Sequence, residues 1–290
     1  MMNYQNKYVF LCLLAIAMLL SAASFQPALA QSAPSLGAAS SFSVLGGQAV
    51  TCTNSVITGD VGVSPTPAFA NAGCTIAGGT PPATDAAAAL ARTAFLSAYD
   101  ALGLMPCSQT IGTAAFTGNV PALGPLAPGV YCFPSGVTFT DTTLTLDGST
   151  NPNGIWIFKV GAALTGSGFH VVMANGGQAC NVFWSVGAAV TLSTSTLPPL
   201  FQGNILAGDA AGGAITITGG SLIGRALANV AVTLTGTNLH GSCALLAQAA
   251  ASCSANDNDK DHGKDQDRDQ DKDQDKDQDH QNGQDGDSLN

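Results

Sequence analysis

From Thr110 to Leu239 the chain is made of short runs in which apolar and polar residues alternate, broken by glycine-rich turns. The sharpest pattern is one apolar residue between two hydroxyls. It occurs at Thr138-Phe139-Thr140, Thr143-Leu144-Thr145, Thr191-Leu192-Ser193, Thr216-Ile217-Thr218 and Thr233-Leu234-Thr235. Successive side chains of a strand point to opposite faces, so each triplet should bury its apolar member and expose both hydroxyls. Longer lines repeat as well. Residues 156–165 read W-I-F-K-V-G-A-A-L-T and residues 182–191 read V-F-W-S-V-G-A-A-V-T, an offset of 26. Shorter echoes follow, G-N-I-L-A at 203–207 against G-R-A-L-A at 224–228, then A-I-T-I at 214–217 against A-V-T-L at 231–234. Strand-and-turn repeats of this length predict a solenoid whose coils stack their apolar sides. Stacked at about 4.8 Å, the triplets would form threonine ladders on a flat sheet.

One segment breaks the rhythm. Pro81-Pro82 leads into Thr84-Asp85, good helix-capping residues, and then into a run rich in alanine and leucine that stops at Gly103. A helix over about 84–103 is expected, with Leu90, Ala94, Phe95, Ala98 and Leu102 on its packed face and Tyr99 beside them. Earlier strand pieces are read at 41–45 and 49–53.

The two ends differ from this body. Lys7, the apolar run 9–20 and the small-x-small site Ala28-Leu29-Ala30 read as an export signal (residues 1–30), with an uncleaved anchor as the other reading. Residues 31–254 form the expected solenoid domain. Residues 255–290 form an Asp/Gln/Lys-rich tail expected to be disordered, because nothing apolar is there to bury. The tail from Asn256 holds thirteen Asp and five Lys or Arg, so it carries most of the formal charge of −10. The body keeps six Asp and three basic residues, and the chain has no Glu. So little positive charge leaves no footprint for nucleic acid. Asp257-x-Asp259-x-Asp261 starts like a calcium loop, but glycine comes one position late and Arg268 stands where the closing acid should be, so no metal site is expected.

Of eight cysteines, Cys12 lies in the signal, leaving Cys52, Cys74, Cys107, Cys132, Cys180, Cys243 and Cys253. Seven thiols allow three bridges, which suits an exported protein. Cys52–Cys74, Cys107–Cys132 and Cys180–Cys243 are one connectivity, leaving Cys253 over; spacing alone does not choose it. Catalytic chemistry finds no nucleus. His170 and His240 stand alone in sequence, Asp141 and Asp147 fall at turns beside the triplets, and no G-x-S-x-G elbow occurs.

Several motifs together are similar to those of the secreted ice-binding (antifreeze) proteins. They are Leu36-Gly37 with Phe42-x-Val44-Leu45, Gly59-Asp60-Val61-Gly62-Val63-Ser64-Pro65, Pro128-Gly129-Val130-Tyr131, and Asn151-Pro152-Asn153 with Trp156-Ile157-Phe158. Asn181-Val182-Phe183-Trp184, Gly203-Asn204-Ile205-Leu206-Ala207 and Gly224-Arg225-Ala226-Leu227-Ala228 complete the set. The resemblance implies a mainly β fold, a discontinuous right-handed parallel β-helix with one long α-helix packed alongside. In that setting Arg225 and Asp60 look structural. It also implies a secreted monomer with no cofactor, no membrane contact after signal cleavage and an ice crystal surface as partner. The candidate face is Thr138, Thr140, Thr143, Thr145, Thr191, Ser193, Thr216, Thr218, Ser221, Thr233, Thr235, Thr237 and Asn238. The family's T-A/G-x-T/N motif appears once in full, Thr235-Gly236-Thr237-Asn238, with a near match at Thr218-Gly219-Gly220-Ser221. Two other readings stay open: an extracellular adhesion or matrix module on the same scaffold, and a polysaccharide-active β-helix enzyme.

Overall fold

The computed structural model describes residues 32–66, 68–77, 79, 86–118, 123–195 and 200–241. The expected signal, the acidic tail, Cys243 and Cys253 lie outside them. Trp156–Val160 and Val182–Val186 lie side by side and parallel, Trp156 opposite Val182 and Val160 opposite Val186. Leu164 faces Val190 at the same offset, so the repeat read in the sequence is one full coil. The shorter echoes are coils too, with Ile205 opposite Ala226 and Ile215 opposite Val232. Each coil runs through three faces. Two carry eight-stranded sheets, and the third carries pieces of two and five strands.

The corners follow from local sequence. Between the first and second sheets the coils turn on Gly161 and Gly187, whose N–H groups bond Phe133 O and Val160 O at 2.8 Å. A Cβ at Gly161 would sit 2.3 Å from Pro134 O, so only glycine lets coils stack this closely there. Between the second and third sheets the turning residues are Asn54, Gly73, Gly118, Asp141, Gly168, Gly219 and Gly236, all with positive φ. Glycine enters that region without penalty, and Asn or Asp does so more readily than other side chains. The coil of Val190–Ser193 departs from this rule, turning on Thr194.

Inside, the first sheet stacks Tyr131, Phe158, Trp184, Ile205, Ala226, Val44 and Val61 in register. The wide end is filled by aromatic rings, with Phe158 on Trp184 and Phe139 on Phe169 both at 4.1 Å. Such pairs contribute about 0.5–1.5 kcal/mol each beyond area burial. Alanine and valine take over toward the other end, and the coils shorten to match: Leu164 to Val190, then Ile215 to Val232.

The chain does not wind continuously. Phe42–Gly46 and Asp60–Val63 occupy one end of the first sheet, next to Ala226–Ala228, although they come first in sequence. Gln109–Thr110 stands at the opposite end. Helix α1, Ala86–Leu104, spans the distance between. Nineteen residues rise about 28 Å, close to the roughly 34 Å that eight strands cover. It packs on the outer side of the first sheet, so strands such as Val182–Val186 are buried on both faces.

The packed face of α1 differs from the sequence reading. Ala88, Ala91, Phe95, Ala98 and Leu102 are buried, whereas Leu90 is 64% exposed. Small alanines let the helix approach the sheet, and Leu90 falls on the far side of the turn. Lys159 Nζ donates to Gly103 O and Met105 O at the end of the helix. Disulfides Cys52–Cys74 and Cys107–Cys132 form as expected, one toward each end of the stack. Cys180 is disulfide-bonded, and its expected partner Cys243 is outside the described residues. Arg225 ties a turn, its guanidinium donating to Ser40 O and Asn204 Oδ1.

Candidate functional site

The second sheet comprises Ala68–Ala72, Ala49–Thr53, Ala231–Thr235, Ile215–Thr218, Val190–Ser193, Leu164–Ser167, Val137–Thr140 and Ala115–Thr117, in that order. Its inward positions bury Val50, Cys52, Val232, Leu234, Ile215, Ile217, Val190, Leu192, Leu164, Val137, Phe139 and Phe116. The alternate positions face outward, and register places them in two straight ladders. The inner ladder runs Thr51, Thr233, Thr216, Thr191, Thr165, Thr138. The outer ladder, beside the left-handed corner, runs Thr53, Thr235, Thr218, Ser193, Ser167, Thr140, Thr117. Alanine ends the rows, Ala70 and Ala72 beside Thr51 and Thr53, and Ala115 beside Thr138. Rungs repeat about every 4.8 Å and the ladders lie about 6.6 Å apart along each strand.

Of the residues named from sequence, Thr138, Thr140, Thr191, Ser193, Thr216, Thr218, Thr233 and Thr235 lie on these ladders. Thr143 and Thr145 do not: their strand, Thr143–Asp147, pairs with His170–Ala174 on the third face. Ser221 and Asn238 pair with one another on that same face. Thr237 is a correction. It is fully buried, and its Oγ1 lies 3.2 Å from Thr235 O and Ile217 O. The T-G-T-N motif is therefore a corner: Thr235 on the second face, Gly236 turning, Thr237 inside and Asn238 on the third face.

Sequence pattern missed Thr51, Thr53, Thr117, Thr165 and Ser167. Each belongs to a triplet with one irregular member. Cys52 is the inward residue of the first, Ala115 opens the second, and Gly166 takes the inward place in the third. Phe169 fills the space there, since a Cβ on Gly166 would come 3.0 Å from Phe169 Cβ.

The face is uncharged. Among the described residues Lys and Arg number three, and all are engaged on the helix side: Arg92 with Asn229, Lys159 with the helix end, and Arg225 with Ser40 and Asn204. Asp141 and Asp209 stand at the corners beside the sheet. The third face is mixed, showing His170, Val172, Ile223, His240 and Val56 beside its hydroxyls. There the Asn175 amide, with Ser149, holds the Asp147 carboxyl below its ordinary range. No group of three or more metal-ligating side chains occurs among the described residues.

The sequence matches the ice-binding-like family over residues 44–240. It is 36% identical over 248 residues to an ice-binding protein of Nostoc sp. (strain HG1), covering 84% of this chain and 86% of that one. Identity is 34% over 215 residues to an ice-binding protein of Flavobacterium frigoris (strain PS1), covering 69% and 73%. The fold is similar to the crystal structure of an ice-binding protein from Antarctomyces psychrotrophicus, with TM-score 0.64, 29% identity, and 73% and 99% of the two chains covered. A domain of Shewanella frigidimarina ice-binding protein 1 gives TM-score 0.61 at 26% identity, covering 74% and 99%. With its eight-coil stack, interrupted winding and flanking helix, the chain belongs to the ice-binding-like family.

Proposed function

We propose that the protein binds ice through the two-ladder face of its second sheet, restraining ice growth and recrystallisation. The observation that carries this reading is the register: thirteen Thr or Ser side chains in two rows, on one rigid sheet, with no charged residue among them. A charged group holds water in its own hydration geometry. Small hydroxyls and methyls on a regular repeat can instead hold an ordered layer that matches a crystal plane. Each rung contributes little, and the broad face sums many small terms. Rigidity matters because a pre-organised surface loses little freedom on contact.

The same reading places the protein outside the cell as a monomer, with residues 1–30 as its export signal and residues 255–290 as a solubilising tail. The two described disulfides suit an oxidising compartment. The family relatives are ice-binding proteins rather than enzymes.

Thermal hysteresis and ice-recrystallisation inhibition of residues 31–290 test the activity. Thr191→Tyr, near the middle of the inner ladder, is expected to lower both severalfold while circular dichroism stays unchanged. Thr143→Tyr, on the third face, is expected to leave both unchanged. A folded parent inactive at micromolar concentration would overturn the reading and favour an adhesion module. Loss at Thr143 but not at Thr191 would move the site to the third face.

A further inference from the structure

We infer that Thr237, although buried and absent from the surface of the face, is a positioning residue for the outer ladder; this rests on the ice-binding reading above. Thr237 lies at the left-handed corner. Its Oγ1 sits 3.2 Å from Thr235 O, 3.2 Å from Ile217 O and 3.4 Å from Gly219 O. A hydroxyl has one proton, shared here among three carbonyls of two coils. Its own N–H donates to Ser55 Oγ at 3.0 Å, and Ser55 Oγ donates to Thr53 O at 3.0 Å. The pair thus links the peptides around Thr218, Thr235 and Thr53, three consecutive hydroxyls of the outer ladder.

Backbone bonds alone do not explain the arrangement. Thr235 O and Thr53 O already accept the N–H groups of Gly219 and Gly236 at 2.7 and 2.9 Å. The buried hydroxyls use the remaining lone pairs, so they fix the direction of carbonyls that are already satisfied. Gly220 occupies the position opposite Thr237 in the preceding coil, since Ser221 is opposite Asn238, and contributes no side chain of its own. Toward the other end the device recurs: Thr142 is buried, with its Oγ1 2.9 Å from Thr140 O and 3.4 Å from Phe116 O. Each of these hydroxyls reaches the carbonyl of the outer-ladder residue two positions before it. The corner turns on Gly236 alone in one coil and on Gly219 and Gly220 in the adjoining one, all with positive φ, and these bonds resist rocking of the ladder edge about them.

The test compares Thr237→Val, which keeps the branched shape, with Thr237→Ser, which restores the hydroxyl. Ser43→Ala is the control, removing another buried hydroxyl that bonds a carbonyl, Thr58 O at 2.7 Å, away from the face. Thermal hysteresis and ice-crystal shape are read near freezing, on variants whose circular dichroism matches the parent, with thermal unfolding measured in parallel. Thr237→Val is expected to lose roughly threefold in hysteresis, because a recognition surface tolerates only small displacements of its elements. Thr237→Ser should recover the parent value, and Ser43→Ala should keep it despite a comparable loss of stability. Ser55→Ala gives an independent reading if Thr237→Val does not fold, and the same loss is expected. A folded Thr237→Val or Ser55→Ala with parent activity overturns the positioning role alone. An inactive parent overturns the ice-binding reading together with it.

Discussion

At the scale of single residues the fold depends on a few backbone positions that side chains cannot report. Gly236 has φ 61 and nothing within 4 Å of where a Cβ would stand. Gly236→Ala therefore isolates the backbone term, and equilibrium unfolding should show a loss of about 1–2 kcal/mol. Gly236→Asn should cost less, because Asn tolerates this region, as Asn54 does at the same corner of the adjoining coil at φ 46. Equal costs for Ala and Asn would mean the corner is held by something other than backbone preference. Thr237 belongs to the same corner. Its type and spacing read as a surface threonine, yet one turning residue before it sends the side chain inside.

At the scale of elements, helix α1 shows how a face is chosen by what it meets. Its sequence offers apolar residues on more than one side, with Leu90 as attractive a core residue as Phe95. The sheet it rests on presents Leu45, Leu227, Leu206, Phe183 and Ile157, and the helix meets these with Ala88, Ala91, Phe95, Ala98 and Leu102. Replacing Ala91 by Leu should overpack this contact and cost about 1–3 kcal/mol. Leu90→Ala should change stability by less than about 0.5 kcal/mol. Denaturant unfolding of the two variants checks both; a larger loss from Leu90→Ala would restore the face read from periodicity.

At the scale of the whole molecule, a solenoid is least supported at its ends, where a coil has only one neighbour. The two described disulfides stand there. Cys52–Cys74 spans 22 residues and holds the strand Ala68–Ala72 over the coil that carries Thr51 and Thr53. The double variant Cys52→Ala/Cys74→Ala should lose about 3 kcal/mol of stability on loop-closure grounds. It should also reduce thermal hysteresis, because the last rungs of both ladders would then fray. Full activity with the stability loss would show that the Thr51–Thr53 rung lies outside the contact area.

Much of the fold is legible in the sequence. The offset of 26 residues is one coil, the hydroxyl triplets do bury their central residue, and the run after Pro81-Pro82 is the helix. Those features are local: strand alternation, glycine turns and helix-forming runs are written within a few residues of where they act. The chain itself could not assign the triplets to faces. Thr138-Phe139-Thr140 and Thr143-Leu144-Thr145 look alike and are three residues apart, but the left-handed Asp141 between them puts one on the second face and the other on the third. Nor could it place Thr51 and Thr53 beside Thr233 and Thr235. That adjacency arises because α1 carries the chain to the far end of the stack and the coils wind back until they meet the first one. Sequence determined the units and their period through short-range sterics and burial. Only the tertiary structure decided which hydroxyls share a plane, because register across coils depends on pairings between residues up to 182 positions apart.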